Sequence, residues 1–270
     1  MINFFKYNSC GNDFIIIDNR IKNFQLHTNQ IKKMCDRNFG VGADGLILLE
    51  SHIKADYFMN YFNSDGLPST LCGNGSMCCG HFASQLGVLK KIEKKYSGLF
   101  NTREGDFDVQ VIDNIVSISM PNVSKRNNIK LININNEKGV YINTGSPHYV
   151  VFKSNLEILN IHQEATAIRE SSFFKKEGVN VTFVEKNKEK IFIRTYERGV
   201  ESETLSCGTG VVAAALSQSL SINHQYVIKK ITTRGGIFNV DYFFNEKKQL
   251  FQNITLSNKV DLVFTGTFPF

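Results

Sequence analysis

The chain has 270 residues, 42% of them hydrophobic, which is enough to bury one large or two moderate cores. Its 31 Lys and Arg against 25 Asp and Glu leave a net charge of +6 spread over Lys- and Asn-rich loops, with no basic arm for a nucleic acid. No apolar run approaches the ~18 residues of a spanning helix, no basic-then-apolar leader opens the chain, and six cysteines are too few for a disulfide framework. The expectation is a cytoplasmic protein with reduced thiols and no membrane or nucleic-acid partner.

In chain order, Phe14–Ile17 and Leu46–Leu49 are short apolar runs of strand type, with a helix expected over 29–37 between them, capped by Thr28 or Asn29. A second helix is expected over 75–89, followed by alternating strands at Val109–Ile112 and Val116–Ser119. Pro121 then ends a strand, and the polar run after it reads as a boundary between halves 1–121 and 122–261. The second half carries helices over 162–173 and 209–220, and strands at Thr182–Val184, Ile191–Arg194 and Ile254–Leu256. The fold class expected is α/β of the α+β type, each half a mostly antiparallel strand layer around a helix. No strand–helix–strand unit of parallel-sheet spacing is evident.

The halves repeat one another. At an offset of about 135 positions, "YFNSDGLPSTLCGNG" lies on "YERGVESETLSCGTG", with Tyr61 on Tyr196, Asn63 on Arg198 and Cys72 on Cys207. "SCGNDFIII" lies on "NTGSPHYVV", and "GADGLILLE" lies on "EGVNVTFVE", pairing Gly45 with Asn180. "NTREGDFDV" lies on "TTRGGIFNV" after a small drift in offset. Four matches in order argue for two halves of like structure.

Each half therefore places Cys-Gly-x-Gly at a helix start. Unpaired N–H groups and the helix dipole there favour an anion, including a thiolate. Two like halves facing one another would set Cys72 and Cys207 on opposite sides of a ligand. A free thiol titrates near 8.5, so a shift of about one unit makes one of them a usable base at neutral pH while the other serves as acid. That is the equipment of stereoinversion at one carbon. The carbanion's carboxylate would be met by the N–H groups of Gly73, Asn74, Gly208 and Thr209. Cys10, Cys35, Cys78 and Cys79 read as structural. A zinc site of Cys72, Cys78, Cys79 and His81 lacks the usual ligand spacing, and neither Gly turn carries the Lys-Ser/Thr ending of a phosphate loop.

The ordered motifs "GNDFIIID", "DRNFGVGADGLILLE", "FNSDG", "CGNG", "GSPH", "GVNVTFVE", "YERG" and "SCGTG" resemble the diaminopimelate epimerases over the whole chain. The resemblance implies a cofactor-independent and metal-free isomerase that interconverts LL- and meso-diaminopimelate in lysine and peptidoglycan precursor biosynthesis. It implies two pseudo-symmetric halves with the active site in the cleft between them, and a C-terminal tail, 262–270, that returns to the first half. Cys72 and Cys207 match the acid and base. Asn12, Asn63, Asn180, Glu197 and Arg198 match substrate contacts, with backbone contacts at Gly73, Asn74, Gly208 and Thr209. His148 and Glu197 stand where the family tunes the thiols. Ser146 departs from the pattern, since many members have Asn there. Serine offers one donor where Asn offers two.

The side-chain chemistry agrees. A guanidinium grips a carboxylate bidentately, and Asn amides suit a zwitterion. Each residue alone has an ordinary structural reading: Asn63 as a turn residue, Glu197 and Arg198 as an exposed pair, His148 as a satisfied loop residue. The alternative enzyme is another cysteine-pair racemase of the proline or hydroxyproline type. A binder of amino acids or a thiol-redox protein is the alternative outside that class. The partner expected is a small molecule, with homodimerisation left open.

Overall fold

The structure is a computed structural model, and it describes every residue except 23, 70, 189, 221–225 and 270. The chain divides into two units, Met1–Ser119 with Ser257–Phe270, and Met120–Leu256.

The first unit runs β1 (Ile2–Ser9), β2 (Asn12–Asp18), α1 (Thr28–Cys35), β3 (Gly45–Glu50), β4 (Tyr57–Asn63), α2 (Gly73–Gln85), β5 (Lys90–Ile92), β6 (Lys95–Thr102), β7 (Gly105–Ile112) and β8 (Ile115–Ser119). Its ladders are mostly antiparallel: β1 with β2, β3 with β4, and β6 through β7 to β8. The strands wrap on α2, which touches β1, β2, β3, β4, β7 and β8. Eleven of its thirteen residues, from Gly73 to Ser84, are buried. Such a helix has no solvent face, so small residues let the surrounding strands come close. A Cβ at Gly80 would stand 2.5 Å from Val109 Cγ2. Cys78 and Cys79 are fully buried in this wall, and burial raises both thiols far above their usual range, as packing residues.

The second unit repeats the plan with β9 (Val123–Ser124), β10 (Ile129–Ile134), β11 (Glu137–Asn143), β12 (Pro147–Phe152), α3 (Ile161–Arg169), β13 (Asn180–Asn187), β14 (Lys190–Glu197), β15 (Ser202–Thr204), α4 (Gly208–Ser217), β16 (Tyr226–Thr232), β17 (Ile237–Asn245) and the first part of β18 (Leu250–Phe268). The ladders β10–β11–β12, β13–β14 and β16–β17 are antiparallel. The central helix is α4, whose ten residues are all buried except Thr209. From Ser257 onward β18 belongs to the first unit, where Val260 to Phe268 pair antiparallel with β1.

Two expectations are corrected. Strand–helix–strand units do occur, two in each unit: β2–α1–β3 and β4–α2–β6, then β12–α3–β13 and β14–α4–β16, each closing a parallel pair. Their connections are long and mostly irregular around one short helix, so no period announces them. The first helix is capped by His27, not Thr28 or Asn29: Gln30 Oε1 accepts the His27 N–H at 2.9 Å. Helix ends also fall short of expectation. α1 stops at Cys35 because the Asp36 carboxylate accepts the N–H groups of Asn38 and Phe39, an Asx turn. α2 stops before Gly87, whose φ of 68° leaves the helical region.

Candidate active site

Cys72 is the N-cap of α2, with extended backbone angles (φ −109°, ψ 112°), and its thiol is half-buried. Its S–H lies 3.7 Å from Asn12 Oδ1, which also receives Asn74 Nδ2 at 3.5 Å. Asn12 opens β2 and donates to Asp44 at 2.6 Å just before β3. Asp44 belongs to a charged lattice the sequence reading missed. Arg37 pairs with Asp13 at 2.8 Å and with Asp44 at 2.7 Å, and Lys6 pairs with Asp13 at 2.6 Å. Burial raises the Asp13 carboxyl, but Arg37 and Lys6 outweigh it and hold it at about 2. Asp13, Arg37 and Asp44 stand in the motifs "GNDFIIID" and "DRNFGVGADGLILLE", but nothing in those motifs says which charges meet.

The Asn74 side chain is buried in a network with Ser9, Asn258 and Asn12, which leaves its backbone at the first turn of α2. Asn63 ends β4 beside the turn to Leu67. Its side-chain amide has no protein partner among the described residues.

In the second unit Cys207 caps α4 with similar angles (φ −132°, ψ 112°) but is only 6% exposed. Its Sγ lies 3.5 Å from Thr209 Oγ1. Burial first, then the Glu197 carboxylate, push this thiol well above its usual range, against donation from the Thr209 hydroxyl and the Gly210 N–H. The helix N-terminus alone therefore does not make this thiol an anion. Desolvation outweighs the dipole, and Cys207 stands protonated. Glu197 in turn accepts the Thr204 hydroxyl.

His148 is fully buried between two hydroxyls, Nδ1 3.0 Å from Thr182 Oγ1 and Nε2 2.9 Å from Thr209 Oγ1. Burial, and then the charge of Arg198, hold it down at about 3, so it is neutral. Asn180 is occupied on both sides of its amide. Its Oδ1 accepts the Arg198 N–H at 2.8 Å, and its Nδ2 donates to Ser146 Oγ at 2.7 Å and Pro147 O at 3.0 Å. Ser146 thus meets Asn180 through an oxygen lone pair, with its own hydroxyl proton uncommitted to protein among the described residues. Arg198 is exposed, donates to Glu177 O at 3.0 Å, and makes no ion pair among the described residues. Gly178, at φ 70°, keeps clear of its stem, since a Cβ there would meet Arg198 Cδ at 2.9 Å.

Side chains pin the turns of both units. Gly11 N–H donates to Asn8 Oδ1 in one unit, and Gly145 N–H to Asn143 Oδ1 in the other. Ser9 Oγ reaches the Asn74 side chain, and Thr144 Oγ1 the Thr209 carbonyl. No group of three or more His, Cys, Asp or Glu among the described residues could hold a metal ion.

The profile of the diaminopimelate epimerase family matches residues 4–125 and 140–253. The chain belongs to the diaminopimelate epimerase family. The diaminopimelate epimerase of Flavobacterium psychrophilum is 41% identical over 97% of this chain and 98% of that protein. That of Aquifex aeolicus is 35% identical over 97% and 96%. Among solved structures, a probable proline racemase from Agrobacterium radiobacter superposes with a TM-score of 0.73 at 13% identity, covering 100% of this chain and 93% of that one. A PhzF-family phenazine biosynthesis protein from Bacillus anthracis gives 0.74 at 15%, covering 98% of each. These last two share the epimerase fold and nothing closer. As members of an epimerase family, the chain and its relatives are isomerases. No helix among the described residues is long and apolar enough to cross a membrane.

Proposed function

We propose that the protein epimerises LL-diaminopimelate to meso-diaminopimelate by two-base proton transfer at one α-carbon, with Cys72 and Cys207 as the pair. The observation that carries this reading is the repeat of a cysteine N-cap on each unit's buried central helix, at corresponding positions. One cysteine, as thiolate, takes the α-proton while the other, as thiol, gives a proton to the opposite face. One C–H bond breaks and one forms, and the thiol and thiolate exchange roles. Cys207 is the proton donor for the LL-to-meso direction, because its burial and the Glu197 carboxylate favour the neutral form. The half-buried Cys72 then takes the base role for that direction. Charge building on the α-carboxylate is stabilised by the N–H groups of Gly73, Asn74, Gly208 and Thr209, which lie in the first turns of α2 and α4.

Asn12 and Glu197 serve the amino-acid end, and Asn63, Ser146 and Arg198 the distal end. Arg198 makes no ion pair among the described residues, which supports a substrate with a second carboxylate. Asn180 acts by holding Ser146 and the Arg198 backbone. Glu197 tunes Cys207 directly and His148 through Thr209. This distal set is what favours diaminopimelate over proline or hydroxyproline, whose single carboxylate would leave Arg198 unpaired. Turnover measured on LL-diaminopimelate beside L-proline and trans-4-hydroxy-L-proline tests it. Activity on the first alone is expected, and faster turnover of a proline would reverse the assignment.

The same reading makes the protein a cytoplasmic enzyme that needs no cofactor and forms a homodimer. The apolar run Leu262, Val263 and Phe264, exposed at 44%, 57% and 47%, supports self-association. Sedimentation of wild type against Phe264→Glu checks it: a dimer is expected to become a monomer.

A further inference from the structure

Thr182 and Thr195 are hydroxyl-bearing residues, at 0% and 3% exposure, in strands whose other buried side chains are Val, Ile, Phe and Tyr apart from Asn180. Burying a hydroxyl is unfavourable unless it is hydrogen-bonded. These two bond each other at 3.3 Å, and Thr182 bonds His148 Nδ1 at 3.0 Å. His148 Nε2 bonds Thr209 Oγ1 at 2.9 Å, and Thr209 Oγ1 lies 3.5 Å from Cys207 Sγ. Five groups thus form one line through the floor of the second unit, ending on a thiol. The backbone is shaped to leave room for it. A Cβ at Gly210 would meet Thr195 Oγ1 at 3.0 Å and both His148 Cε1 and Thr182 Oγ1 at 3.2 Å. The second glycine of "CGTG" therefore has a reason of its own. The sequence of the first unit does not repeat these residues. At the corresponding positions of the repeat stand Ile47, Asn60, Phe14 and Asn74.

We propose that Thr195, Thr182, His148 and Thr209 are positioning residues forming a one-way donor chain that aims the Thr209 hydroxyl proton at Cys207 Sγ. The inference rests on the reading of Cys207 as one of the two acid/base thiols. Thr195 donates to Thr182 and Thr182 donates to Nδ1, which leaves the neutral ring with its proton on Nε2. Asn180 Nδ2 also lies 3.5 Å from Nε2, but its two protons are spent at shorter range on Ser146 Oγ and Pro147 O, so Nε2–H donates to Thr209, whose oxygen is then engaged as acceptor and whose proton goes to the sulfur. The buried neutral ring suits this because an imidazolium, with two N–H groups, would force Thr182 to turn away. The arrangement gives Cys207 one charge-assisted donor when it must be a thiolate, in a site where burial and Glu197 oppose that form. It also makes the two thiols unequal.

Two measurements test the chain without using turnover. In ¹⁵N-histidine spectra, His148 should show the Nε2–H tautomer over the whole neutral range. The rate of Cys207 alkylation by iodoacetamide, followed on its own peptide by mass spectrometry against pH, reports its thiolate. Thr209→Val should cut that thiolate about tenfold at fixed pH, the effect of one lost charge-assisted bond. Thr209→Ser should restore it, and Thr182→Val should give a smaller loss that Thr182→Ser repairs. The Cys72 peptide should alkylate unchanged in all four variants. An Nδ1–H tautomer, or Thr209→Val reacting as fast as wild type, would overturn the chain. Cys207→Ala turning over normally would instead remove the catalytic reading and leave these two observations standing.

Discussion

Gly80 lies inside α2, where alanine in place of glycine ordinarily stabilises a helix by about 0.5–1 kcal/mol. Here the sign should reverse. The added Cβ would stand 2.5 Å from Val109 Cγ2 and 3.5 Å from Val116 Cγ1. Val109 is 1% exposed and Val116 0%, so neither can swing into solvent. Either Val109 leaves its rotamer or α2 shifts off β7, and overpacking of this kind costs about 1–3 kcal/mol. The net expectation is a loss of about 1–2 kcal/mol once the propensity gain is subtracted. For a chain of this size that is about 2–4 °C of melting temperature per kcal/mol. The assay is a double-mutant cycle by thermal and urea unfolding, with Gly80→Ala, Val109→Ala and the pair. Val109→Ala alone leaves a cavity, which the alanine methyl at position 80 partly fills, so the pair should be at least about 1 kcal/mol better than the sum of the singles. A stabilised Gly80→Ala with additive behaviour in the pair would refute the close wrapping of β7 on the helix that carries Cys72.

Acid stability should show a single dominant group. An unfolded histidine titrates near 6.5, whereas His148 is held at about 3, so the unfolded chain binds the extra proton between those values. Stability is then full above about pH 6.5 and falls by about 1.4 kcal/mol per pH unit on the way down toward 3; His148→Gln should flatten that limb in unfolding titrations. Arg198→Lys keeps the charge but loses the fork, so KM for diaminopimelate should rise about tenfold with kcat less affected. Steady-state kinetics read both constants.

The central pair of helices and their thiols were legible because "CGNG" and "CGTG" are local signals, and because a repeat is visible without any knowledge of packing. Cys78 and Cys79 were legible as core because they fall mid-helix, where small apolar residues pack. The parallel pairings were not. Phe14 finds Gly45 across a connection in which only eight residues are helical, and nothing in the composition of that loop says on which side the strand returns. The lattice of Lys6, Asp13, Arg37 and Asp44 escaped because ion pairs form between elements and leave no period. Thr182 and Thr195 escaped for a related reason. In a strand, threonine is ordinary by propensity, and only burial together with His148 at 3.0 Å makes its hydroxyl significant. Ser146 was placed at the substrate from the family pattern. The structure adds that its oxygen is already taken by Asn180, which only geometry could tell.

The account turns on two thiols acting on one carbon, and hydrogen exchange in heavy water measures that most directly. LL-diaminopimelate is incubated in D₂O with wild type, Cys72→Ala and Cys207→Ala, while α-deuterium incorporation and meso product are followed together by NMR and chiral chromatography. Wild type should form meso product that carries deuterium at the inverted carbon. Each single variant should still bind LL-diaminopimelate by calorimetry yet form no meso product, because inversion needs an acid and a base at once. Near-normal epimerisation by either variant would contradict the two-thiol mechanism.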